Sequence, residues 1–75
     1  MNTVEKITAA DAASTRTARA AVAFGTALCA FLERPTAANE RRMHAASAAF
    51  GRARAAEAVA KGDVLLAILA TESAQ

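Results

Sequence analysis

The chain holds one cysteine, Cys29, in 75 residues. No intrachain disulfide can form, which excludes the cross-linked secreted scaffolds by which many chains of this size fold. Tryptophan and tyrosine are absent and phenylalanine occurs three times, so there is no aromatic platform on which single-stranded nucleic acid could stack. One proline and three glycines are too few for the tight turns of a multi-stranded sheet, and no segment alternates apolar with polar residues. The longest apolar stretch, Ala20 to Leu32, spans 13 residues, short of the ~20 that cross a bilayer. Glu5 and Asp11 stand where a signal peptide carries its basic leader, and Leu28 stands where a lipoprotein site needs a small residue before its cysteine. A soluble, cytoplasmic protein in a reducing setting is the expectation. The formal charge of +2 points to no partner by itself.

The means of catalysis are equally sparse. The single histidine, His44, lies four residues from Glu40, a spacing that places both on one helix face. Two ligands do not hold a metal, and the four-helix di-iron sites use Glu-x-x-His with further carboxylates. Without a glycine-rich phosphate loop, and with the lone cysteine and histidine on different segments, no nucleophile, base and orienting group can be assembled. No catalytic residue, metal site or cofactor is expected. Cys29 lies among apolar residues, where a thiol usually acts as a small, inert hydrophobe.

What the chain has is alanine, 24 residues of it, the strongest helix former. Helix is favoured nearly everywhere, and the few interruptions organise the single domain spanning 1–75. Thr8, preceded by Ile7 and followed by Asp11, resembles a capping box and starts a first helix near 9, with Asn2 and Glu5 as a competing earlier start. Pro35 cannot continue a helix and pushes Arg34 out of the helical region, so the first helix ends near 33. Thr36 caps a second helix of about 37–61, with Glu40 facing its positive end. Gly62 reads as its C-terminal stop, and Asp63 as the cap of a short third helix, about 64–73. The short connection at Pro35 makes the two long helices antiparallel neighbours. The expected fold is an all-α hairpin with a short C-terminal helix, dimerising into a helical bundle.

Projected at ~100° per residue, the first helix carries an apolar arc over about half its circumference, wider than the stripe needed for one neighbour. The arc has a bulky side, Phe24, Leu28, Phe31 and Leu32, assigned to self-association. Its small side, Ala18, Ala21 and Gly25, is assigned to hairpin packing against Ala46, Ala49, Phe50 and Ala53 of the second helix. Arg42 and Glu57 intrude on the apolar side of the second helix, which therefore cannot be dry; Glu57 and Lys61 form a favourable i,i+4 pair. Leu65, Leu66, Ile68 and Leu69 belong to a segment apolar all round, which must find cover over the hairpin, across a homodimer, or in a groove of another protein.

The sequence pI is about 9.3, yet Arg41, Arg52 and Arg54, the candidate contacts to nucleic acid or an acidic partner, project in different directions, whereas a groove-reading helix concentrates its charge. The expectation is a small, non-enzymatic, protein-binding regulator: an inhibitor, anti-activator or adaptor acting as a homodimer, in character like many small regulators of bacterial or phage origin. The alternatives are a basic DNA-associated regulator using the arginine-bearing face of the second helix, and a structural subunit of a helical assembly.

Overall fold

The computed structural model describes residues 1–74. It contains two helices, α1 (Thr3–Glu33) and α2 (Ala37–Ser73), folded against each other into a rod of 59 × 15 × 13 Å. The helical hairpin expected from Pro35 is present. Its ends differ from the expectation in two places.

The first helix begins at Thr3 rather than near residue 9. The backbone N–H of Glu5 donates to Asn2 Oδ1 at 2.8 Å, and Asn2 Nδ2 donates to Glu5 Oε1 at 3.3 Å. Asparagine is at least as good a cap as threonine, and this reciprocal pair satisfies the helix start earlier. Thr8 is left inside the helix, donating its hydroxyl to Val4 O at 3.0 Å.

The separate third helix does not exist. Helix α2 runs 37 residues through Gly62 to Ser73, and no glycine among the described residues takes a positive φ, so the left-handed stop is not made. An interior glycine costs about 1 kcal/mol. Continuing through it keeps Val64 and Ala67 half-buried against α1, contacts that a break would forfeit.

The turn is built from side chains that cap both helices. Arg34 is extended (φ −136°, ψ 92°), as a residue before proline must be. The N–H of Asn39 donates to Thr36 Oγ1 at 3.1 Å, capping α2, while Asn39 Nδ2 donates to Arg34 O at 2.9 Å and Ala30 O at 3.3 Å, satisfying the end of α1.

Burial recurs at alternating steps of three and four. Flanked by half-buried neighbours such as Ser14, Ala21, Leu28 and Ala49, the steps run through Thr3, Lys6, Ala10, Ala13, Thr17, Ala20, Phe24, Ala27 and Phe31 of α1 and Asn39, Met43, Ala46, Phe50, Ala53, Glu57, Ala60, Val64 and Ala67 of α2. This 3.5-residue period is that of an antiparallel coiled coil with these residues at heptad positions a and d. The deepest are small, Ala13 at 2% exposure and Ala10 at 9%, and no large side chain among the described residues is fully buried.

Candidate interaction surfaces

The seam itself contains polar groups. Ser14 Oγ donates to Glu57 Oε2 at 2.5 Å, and Lys61 Nζ reaches the same oxygen at 3.1 Å. The Ser14 hydroxyl, then Lys61, hold the Glu57 carboxyl below its ordinary value. One helical turn along, Thr17 Oγ1 lies 3.1 Å from Ala53 O and 3.0 Å from Ala13 O, bonding across the hairpin or back to its own helix. Polar groups at seam positions specify register, and these two contacts fix which residues of α1 and α2 stand at the same height.

Nearer the turn the seam is filled by rings. Phe24 and Phe50 stack with centroids 6.2 Å apart and planes at 27°, and the Arg54 guanidinium sits 5.7 Å from the Phe50 centroid, within cation–π range. This corrects the two sides of the α1 arc. Phe24, expected at a second chain, packs inside the hairpin, and Phe31 and Leu28 are half-buried beside it. Ala18 and Gly25, expected in the hairpin, are exposed, with Ala21 half-buried. Of the α2 residues expected at the seam, Ala46, Ala49, Phe50 and Ala53 are all half-buried. The physical cause is drift: a 3.5-residue seam precesses about 20° per heptad against a straight 3.6-residue helix, so a fixed projection merges it with the adjacent stripe.

Large apolar side chains that the seam leaves out are Met1, Val4, Ile7, Val22, Leu32, Val59, Leu65, Leu66, Ile68 and Leu69, with exposures from 41% to 75%. Heptad position sorts them. In an antiparallel pair the e positions of both helices adjoin on one flank and the g positions on the other. Val4, Ile7, Leu32, Leu65 and Ile68 fall at e and b; only Val59 and Leu66 fall on the g and c flank; Met1, Val22 and Leu69 lie on the outer ridges. Val4 and Val59 have no role in the sequence pattern of apolar arcs, and Ile7 enters it only beside the Thr8 cap; the heptad step of three and four is the signal that places them.

Arginine, though not charge as a whole, is weighted to the other flank; Arg54 and Lys61 lie at e. Arg16, Arg19, Arg42 and Arg52 occupy g and c positions, and Arg19 stands level with Arg52. The trio Arg41, Arg52 and Arg54 is not brought together, since it occupies f, c and e. A scan against protein-family models finds no match. Searches of curated proteins and of solved structures find none either.

The remaining candidates form no chemistry-bearing cluster. His44 Nε2 lies 3.6 Å from Glu40 Oε1 with both side chains well exposed, and no three His, Cys, Asp or Glu residues among the described residues are placed to share a metal ion. Cys29 is an exposed free thiol, not the enclosed one its apolar neighbours suggested. No helix among the described residues is long and apolar enough to cross a membrane.

Proposed function

We propose that the chain is a protein-binding regulator that acts as a homodimer and sequesters or blocks a partner protein without catalysing a reaction. The observation that supports this most is the inverted distribution of apolar groups. The hairpin closes on Ala10 and Ala13, while ten large apolar side chains stand outside it. A monomer this small gains little from such a core, and contiguous exposed apolar surface marks a site where another polypeptide lies. The apolar e/b flank serves self-association, and the arginine-bearing g/c flank suits an acidic protein surface.

The test is mass and stability against concentration. Light scattering should give twice 7.7 kDa, and the Tm should rise with protein concentration, as it does when assembly supplies stability. A folded 7.7 kDa species with a concentration-independent Tm would overturn the reading. A growing series of larger species would favour a structural subunit instead. Arg16, Arg19 and Arg52 are also what favours a second reading, contact with DNA. Binding to duplex DNA that collapses as salt rises, and that is abolished by changing these three to Ser, would select it.

A further inference from the structure

We propose that the e/b flank is a twofold interface with a second copy of this chain in which both turns lie at the same end and each α1 lies over the other chain's α2. This deepens the homodimer reading above and rests on it. Four observations carry it. The first is fit by height. A twofold axis along the rod preserves height, so each α1 residue on the flank meets the α2 residue that stands level with it in its own chain. With levels set by the Ser14–Glu57 and Thr17–Ala53 contacts, Val4 meets Ile68 and Ile7 meets Leu65. Four exposed apolar side chains are thereby covered in each direction.

The second is charge. The same heights put Asp11, the one acidic residue of α1 on this flank, opposite Lys61 of the second copy, which can bridge it and its own Glu57. Arg54 comes over Ala18 and Glu40 over Leu32, where both keep their charged ends at the exposed edge of the flank. The third is the glycines. Gly25 and Gly51 both occupy b positions, and a Cβ built on either meets nothing within 4 Å, so packing within the chain gives no reason for either. In the paired arrangement Gly51 meets Ala21 and Gly25 meets Ser47, a central zone of small residues that lets two backbones approach closely. The fourth is area. The outline of the rod, 59 by 15 Å, sets the scale of a lengthwise contact at about 900 Å² when the whole length is covered, near the ~800 Å² per partner of a stable interface. A head-to-tail pairing with Ala18 over its own copy sets Val4 level with Leu32, but it brings Leu65 to the height of Arg41 and leaves Asp11 away from Lys61.

The test uses the 75-residue chain with Cys29→Ala. Protein carrying Leu28→Cys is mixed with protein carrying His44→Cys, positions that face each other only in the same-end arrangement, and oxidised; a mixed disulfide dimer well above either self-pair is expected. Self-cross-linking of Ala18→Cys would mean head-to-tail pairing and overturn the proposal. So would a dimer by light scattering that yields neither product, since the interface would then lie elsewhere. A solitary species by light scattering fails the homodimer reading itself, a different outcome. Independently, Gly51→Leu meets open space within the hairpin, so helicity should persist while the Kd for self-association rises by about tenfold or more through overpacking of the interface; a dimer as tight as the parent would overturn the assignment.

Discussion

The two halves of the rod solve the same packing problem with opposite means. Toward the turn, the seam is filled by Phe24, Phe31, Met43 and Phe50, all half-buried. Toward the open end it is lined by Ala10, Ala13 and Ala60, and the large side chains Val4, Ile7, Leu65, Leu66 and Ile68 of the same stretch are on the outside. A seam of alanines brings backbones together at little entropic cost, because alanine has no rotamers to lose. It also buries little apolar area per residue. The turn half is therefore stabilised from within, whereas the open half has placed its apolar area where only another molecule can cover it. The short third helix expected at residues 64–73 would have folded that area back; its fusion into α2 leaves it outward.

Exchanging the two means of packing disturbs the rod most. Phe50→Ala removes the ring that stacks on Phe24 and carries Arg54. Large-to-small changes of a fully buried Phe cost ~3–5 kcal/mol, and the half-exposed position reduces this to about 2 kcal/mol, read as a lower urea midpoint with an unchanged m value. Ala13→Leu is the converse. At 2% exposure there is no room for the added carbons, and overpacking costs about 1–3 kcal/mol, with hydrogen exchange increasing first in residues 3–14 and 57–70 rather than near the turn. Equal exchange increases at both ends would show that the halves do not differ in the way argued.

Much of the hairpin is legible in the sequence because its determinants are local. Pro35 forces Arg34 out of the helix, and Thr36 supplies a hydroxyl at the cap; neither depends on a distant contact. The errors have non-local causes. Gly62 has the composition of a helix stop, yet whether a glycine stops a helix depends on what lies beyond it, and here Val64 and Ala67 still have α1 to pack on. Thr8 and Asn2 are both competent caps, and the extra pairing available to residues 3–8 against the end of α2 favours the earlier one. The identity of the seam was recoverable in principle, since Thr3, Lys6, Ala10, Ala13, Thr17, Ala20 and Phe24 already step by three and four. It was obscured because several of those residues are polar or small, so apolarity alone picks out the stripe beside them. Asn39, which joins the two helix ends, carries no sequence signal for that role beyond its nearness to Thr36.

The smallest effect expected concerns Glu57, the acid that interrupts the seam between the two halves. Its carboxylate accepts from Ser14 and Lys61, and its pKa in the folded chain lies below the ordinary 4.5. Unfolded chain therefore takes up the proton first as pH falls, so folding is penalised in that direction. The contribution is fully present above 4.5 and is lost as pH falls through the lower folded value. Thermal melts of the parent should decline across that acidic window more than melts of Glu57→Gln, which keeps an oxygen for the Ser14 hydroxyl but titrates nothing. Ser14→Ala should reduce the same decline partially, because it removes the largest cause of the shift and leaves Lys61 in place. Solvent around the pair screens the interaction, so the difference between the parent and Glu57→Gln curves should shrink further in high salt. A parent and a Glu57→Gln variant with superimposable acid profiles would mean that the Ser14–Glu57 bond does not persist in solution, and the register of the hairpin would then rest on Thr17 and the phenylalanine stack alone.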